Sequence, residues 1–140
     1  MRRLLVLAAT LAVVASATAS AALKSPCALV TAADAKSALG VSFGSGKAEK
    51  LGLYQACVYT SAKNGLSILA RQTTRSSFDR SAKANPGKIV HVSGIGADAY
   101  RAGPAFLLWK DGTEVSLLAS GFANPLKAEE TLGRAAAGRL

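Results

Sequence analysis

The chain has 140 residues, with 17 Lys and Arg against 8 Asp and Glu, a formal net charge of +9, one histidine and two cysteines. That length suits one ordinary domain that buries a real core without depending wholly on staples. One histidine and two cysteines are too few ligands for a metal centre, and the scattered basic residues lack the aromatic-interleaved block of a nucleic-acid binder, so composition argues against both roles.

The N-terminus reads as a secretory signal peptide. Arg2 and Arg3 form a positive n-region, Leu4 to Val14 a short apolar h-region, and Ala17-Thr18-Ala19 and Ala19-Ser20-Ala21 are Ala-x-Ala cleavage sites. The apolar core falls short of the roughly 20 residues of a membrane span, so cleavage is expected rather than anchoring. Residues 1–21 are thus assigned to the signal and 22–140 to a single mature domain without a transmembrane helix, whose net charge falls to +7 with the loss of Arg2 and Arg3. Such a surface is weakly attracted to anionic envelope components such as phospholipid headgroups or acidic polysaccharide.

Export to the periplasm or beyond places Cys27 and Cys57 in an oxidising compartment, where a disulfide is expected. The bridge closes a loop of about 31 residues, worth about 3 to 4 kcal/mol in the chain-entropy model. A redox pair would want Cys-x-x-Cys spacing. Lipidation at Cys27 is rejected, because Lys24-Ser25-Pro26 stand where small or apolar residues are required.

Thr31 to Gly40 predicts a short helix, with Thr31 as cap, Asp34 in the first turn, Gly40 as the left-handed stop, and Ala35, Ala38 and Leu39 on one face. Phe43 to Leu53, rich in Gly and Lys, reads as a loop. Tyr54 to Ala62 and Leu66 to Gln72 flank Asn64-Gly65, a preferred type I′ pair. A two-residue turn there sets Lys63 opposite Leu66, Tyr59 opposite Ala70 and Cys57 opposite Gln72. Thr74 to Asn85 predicts a second helix that buries Phe78 and Ala82 and ends at Pro86-Gly87. Ile89 to Val92 is a weak strand, and Gly94 to Tyr100 turns into another.

A second hairpin joins Ala105–Lys110 to Thr113–Ala119 across Asp111-Gly112. It pairs Phe106 with Leu117 and Leu108 with Val115 on a core face, and Leu107 with Ser116 and Trp109 with Glu114 on a mixed face. Asn124-Pro125 opens a last helix to about Leu140, with Leu132, Ala136 and Leu140 as its apolar stripe beside Ala128 and Ala135. The expected fold is α+β: one antiparallel sheet of about five strands with two to three packed helices, in the order α-β-β-α-β-β-β-α, with one disulfide.

Pro26-Cys27-Ala-Leu-Val-Thr31-x-x-Asp34, Leu39-Gly40, Ala56-Cys57-Val-Tyr59 and Gly94-Ile-Gly-Ala-Asp98-Ala-Tyr100 resemble positions shared by small exported bacterial domains, the DUF3558-type proteins and mycobacterial kinase sensor-like domains. The resemblance spans most of the mature chain. It implies a disulfide-linked α+β domain similar to the PsbP-like fold, and no reaction. Many such domains are lipoproteins, and this chain departs from them in lacking a lipidation cysteine.

No catalytic constellation is assembled from the sequence. Any triad must use His91, with Ser93 near in sequence and Asp98 or Asp111 as possible partners, but no Gly-x-Ser-x-Gly elbow is present. Asp34 and Glu129-Glu130 sit in helix first turns, Asp111 in a turn and Glu114 across from Trp109, so a glycosidase carboxylate pair is not singled out. Gly44-Ser-Gly46-Lys47 and Gly94-Ile-Gly96 read as turns rather than phosphate loops. What remains is the face carrying Trp109, Leu107 and Leu118, read first as a second core layer under helices. If open, Trp109 with Tyr100, Arg101 and Lys110 suits an anionic or amphiphilic ligand. The expectation is a non-enzymatic, cofactor-free binding or accessory (sensor-like) domain of the bacterial envelope, with a small ligand or an envelope protein as partner. The alternatives are a small hydrolase acting on envelope polymer and a structural interaction protein.

Overall fold

The computed structural model describes residues 22–85 and 87–140, so the expected signal peptide and Pro86 lie outside the described residues. The elements are α1 (Pro26–Leu29), α2 (Ala32–Leu39), β1 (Lys47–Leu51), β2 (Tyr54–Thr60), β3 (Gly65–Gln72), α3 (Arg75–Lys83), β4 (Ile89–His91), β5 (Asp98–Ala102), β6 (Ala105–Lys110), β7 (Thr113–Ser120) and α4 (Leu126–Arg139). The strands form one antiparallel sheet in the order β1-β2-β3-β7-β6-β5-β4. Two meanders, β1 to β3 and β4 to β7, are therefore joined side by side through β3 and β7. α3 carries the chain from the centre of the sheet to its far edge.

The α+β class, the single antiparallel sheet and the disulfide agree with the sequence reading; the counts and order do not. Seven strands replace about five, and four helices replace two or three. The elements beyond that order are the one-turn α1, the edge strand β1, which lies in the stretch read as a loop, and a further strand in the stretch from Ile89 to Tyr100, where β4 and β5 form separately. All five residues of β1 are exposed, so it carries none of the apolar alternation by which a strand is recognised. Backbone pairing to β2 holds it, and its two lysines suit a free edge. The chain approaches β1 over the disulfide at Gly46, where a Cβ would lie 2.5 Å from Cys57 Sγ and 2.8 Å from the Tyr59 ring.

The hairpin at Asp111-Gly112 forms as read, with both residues at positive φ (48° and 80°) and all the expected cross-strand pairs in place. The first hairpin corrects the expected register by four residues: Tyr59 faces Leu66 rather than Ala70, and Cys57 faces Ile68 rather than Gln72. Its loop is Ser61 to Asn64, closed by Ser61 N–H donating to Asn64 O (2.9 Å) and Asn64 N–H donating to Ser61 Oγ (3.2 Å). Gly65 is consequently a strand residue between Thr60 and Ser120. An even shift keeps every side chain on its own face, so the apolar pattern did not discriminate between the two registers.

α2 starts at a capping box in which Thr31 and Asp34 satisfy each other's backbone N–H groups, and it stops at Gly40, as expected. α3 buries Phe78 and Ala82, as expected; Thr74, read as its first residue, is its cap, and it ends at Lys83 rather than Asn85. At α4 the Asn124-Pro125 cap is corrected: Pro125 already has helical dihedrals and no side chain caps the helix.

The main core lies between one sheet face and α1, α2 and α4, around Leu29, Val30, Leu66, Ile68, Phe106, Leu108, Leu117 and Leu132. Cys27 of α1 is bonded to Cys57 of β2, and Tyr59 OH donates to Val30 O (2.8 Å), fastening the N-terminal segment to the sheet. Among the described residues no helix is long and apolar enough to cross a membrane.

Candidate functional site

Alternation along a strand sends successive side chains to opposite faces, and the register lays out the face away from the main core row by row. One row runs Arg71, Glu114, Trp109, Asp98, and the next runs Ala56, Leu69, Ser116, Leu107, Tyr100, His91. α3 crosses only part of this face. Under it Phe78, Ala102 and Leu107 are buried, with Tyr100, Ala105 and Trp109 packed around them, so the β5–β6 half is a second core layer. Trp109 Nε1 donates to Thr73 O (3.1 Å) just before α3. Over β2, β3 and β7 the cover is partial: Ala56 and Glu114 are buried, whereas Leu118 remains 37 % exposed.

The four residues nominated for a ligand surface are not brought together. Tyr100 and Trp109 share the second face, whereas Arg101 and Lys110, one position further along their strands, point to the other. There Arg101 pairs with Glu130 of α4 (2.5 Å) and Lys110 Nζ donates to Ala137 O (2.7 Å), so both cations anchor a helix.

Two polar clusters occupy the second face instead. In the first, Asp98 is almost wholly buried, its Oδ1 lying 2.7 Å from His91 Nε2 and its Oδ2 accepting from Arg75 Nη2 (2.6 Å) and Tyr100 OH (3.3 Å). Burial works to raise the Asp98 pKa, but the bonds from His91 and Arg75 outweigh it and the carboxyl is held below its ordinary value. Burial, then the charges of Asp98 and Asp79, pushes the Tyr100 phenol up. The structure thus selects Asp98 over Asp111 as the partner of His91. The geometry fixes the orientation of an exposed imidazole; among the described residues no hydroxyl or thiol is hydrogen-bonded to its other nitrogen.

The second cluster was not read from the sequence. Arg71 donates from Nε (2.9 Å) and Nη2 (2.7 Å) to Glu114 Oε2, and from Nη2 to Ser81 Oγ (2.9 Å), while its guanidinium lies 4.7 Å from the centroid of the Tyr54 ring. Tyr54 OH reaches Glu114 Oε1 at 3.5 Å. Burial, then the Glu114 charge, pushes the Tyr54 phenol up. The Glu114 side chain is 2 % exposed and that of Arg71 17 %. The cluster lies beside a groove of about 520 Å³ between the C-terminal half of α3 and the sheet, lined by Leu69, Leu107, Ser116 and Glu114 from the strands and by Ser81 and Asn85. Arg71 and Glu114 are 43 positions apart and meet only through the β3–β7 pairing, for which no turn motif exists to be read.

Among the described residues no group of three or more His, Cys, Asp or Glu side chains is placed to hold a metal ion. Comparison of the chain with protein-family models, with curated proteins and with solved structures gives no match.

Proposed function

We propose that the mature chain is a non-enzymatic binding or accessory domain of the bacterial envelope, exported to the periplasm or beyond, and that it takes a small ligand in the groove beside α3. The observation that carries this reading is the Arg71–Glu114 pair beside that groove, its carboxylate buried and its guanidinium half-buried. Desolvating two charges is costly, and a well-packed apolar pair of similar volume is often as stable or more so. A pair whose carboxylate is buried at the rim of an open cleft therefore argues for recognition. The cleft volume falls in the range of small-molecule sites, about 300–1,000 Å³. The signal-like N-terminus, the disulfide and the resemblance to DUF3558-type domains support the exported location.

Native mass spectrometry of the protein purified from its exported location tests this reading. The expected spectrum shows cleavage near Ala19 to Ala22, a mass lower by two hydrogens for the disulfide, and an additional small-molecule mass lost on gentle activation. A bare monomer whose groove amides respond to no extract fraction would overturn the ligand assignment. A second reading, a small hydrolase acting on envelope polymer, draws on the His91–Asp98 contact alone. It requires an activity on such polymer that His91→Ala abolishes, and an unchanged rate in that variant rejects it.

A further inference from the structure

The groove has its charges cancelled within the protein. Glu114 Oε2 takes both Arg71 bonds, so the one carboxylate that lines the groove among the described residues is already neutralised. Its other oxygen, Oε1, accepts from the Tyr54 hydroxyl at 3.5 Å, the outer limit of a hydrogen bond. The Glu114 side chain is 2 % exposed, so it forms part of the groove wall with its own hydrogen bonds met inside the protein. Ser81 Oγ accepts from Arg71 Nη2 at 2.9 Å, and a hydroxyl that accepts from a guanidinium turns its own proton elsewhere. Ser81 therefore has a donor to offer. Asn85 and Ser116 line the same space, each able to give and to accept, and Leu69 and Leu107 supply its apolar part.

With the Arg71 and Glu114 charges spent on each other, neither an anion nor a cation finds an unpaired opposite charge here. A neutral molecule with several hydroxyls on one side and C–H groups on the other matches every feature. We infer that the groove binds an uncharged sugar ring, with Ser81, Asn85 and Ser116 bonding its hydroxyls and Leu69 and Leu107 against its C–H face. This rests on the groove being the ligand site, and it adds the class of ligand.

The test is amide chemical-shift mapping of the ¹⁵N-labelled, oxidised mature chain. The neutral probes are maltotriose, cellotriose and chitotriose; the charged counterparts are trigalacturonate and the glucosamine trimer. At least one neutral trimer is expected to shift the amides of Leu69, Ser81, Asn85, Leu107 and Ser116, with the charged trimers weaker. Ser81→Ala and Ser116→Ala, both at partly exposed positions, are each expected to weaken binding about fivefold, the worth of one hydrogen bond. Absence of shifts with all three neutral trimers, shifts confined to other surfaces, or unchanged affinity in both variants would overturn the inference. If instead a charged probe or a co-purified charged molecule moves the groove amides, the groove stands as the ligand site and the sugar assignment falls. If no probe and no co-purified molecule moves them, the groove reading itself falls.

Discussion

Replacing Asp34 by Asn tests how the C-terminus of the domain is held to its beginning. Asp34 Oδ2 accepts from Thr31 N–H (2.8 Å), Thr31 Oγ1 (2.7 Å) and Arg139 Nη1 (2.6 Å), and Oδ1 accepts from Arg139 Nη2 (3.1 Å). Arg139 Nη1 also donates to Leu29 O (2.7 Å), so the carboxylate caps α2 and holds the last turn of α4 to it, while the same guanidinium reaches α1. The Arg139 bond, aided by those from Thr31 and opposed by burial, lowers the Asp34 pKa from its ordinary 3.8 to about 2. At about 1.36 kcal/mol per tenfold change in proton affinity, that drop corresponds to roughly 2.4 kcal/mol. The Arg139 side chain is 39 % exposed, and solvent screening reduces the figure to about 1–2 kcal/mol.

The folded state binds this proton more weakly than the unfolded chain does. The stabilisation is therefore complete above the ordinary carboxylate pKa and is lost as pH falls through about 2. Urea unfolding of the wild type and Asp34→Asn, followed by circular dichroism between pH 6 and pH 2, is expected to show the variant less stable by about 1–2 kcal/mol at pH 6, or about 4–8 °C in Tm at this size. The gap is expected to close between pH 4 and pH 2. Asp98, also held low, titrates in both proteins and cancels in the difference. A gap of constant size down to pH 2 would show that charge is not what couples the two ends.

Replacing both Cys27 and Cys57 by Ala frees a loop with a sequence separation of 30. It is expected to cost about 3.5 kcal/mol and lower Tm by roughly 14 °C; a loss under about 1 kcal/mol in calorimetry would contradict the chain-entropy account. Glu129 is fully buried, its Oε1 accepting from Ala119 N–H (3.0 Å) while Oε2 has no partner, and burial raises its pKa. A raised carboxyl pKa contributes stability below the ordinary value and loses it as pH rises through the folded one. Glu129→Gln is thus expected to stabilise the domain by on the order of 1 kcal/mol at pH 8 and by little at pH 4, and a pH-independent effect in chemical denaturation would refute this. In α4, a Cβ on Gly133 would press into the Phe106 ring, whereas one on Gly138 meets nothing within 4 Å. Gly133→Ala is expected to destabilise by about 1–3 kcal/mol and Gly138→Ala to stabilise by up to about 1 kcal/mol; the reverse order of melting temperatures would show the packing argument wrong.

What the sequence determined by itself is what short-range chemistry decides. The Thr31–Asp34 box and Gly40 delimit α2, Thr74 and the Phe78–Ala82 spacing place α3, and the positive φ required at Asp111 and Gly112 sets the β6–β7 register. Each rests on residues a few positions apart. The alternation of a strand also separates Tyr100 from Arg101 and Trp109 from Lys110, a separation legible without coordinates. Only the tertiary structure decided the rest, because those features depend on long-range pairings that leave no local mark. β1 borrows its strand character from β2, and Ser61 and the neighbouring β7 set the first hairpin four residues away from the Asn-Gly register. Glu129 was legible as a first-turn acid; its burial against Ala119 is a property of where α4 docks. The groove arises in the same way. β3 and β7 pair across more than 40 positions, α3 covers half of the resulting face, and Arg71 meets Glu114 at the edge of what is left open.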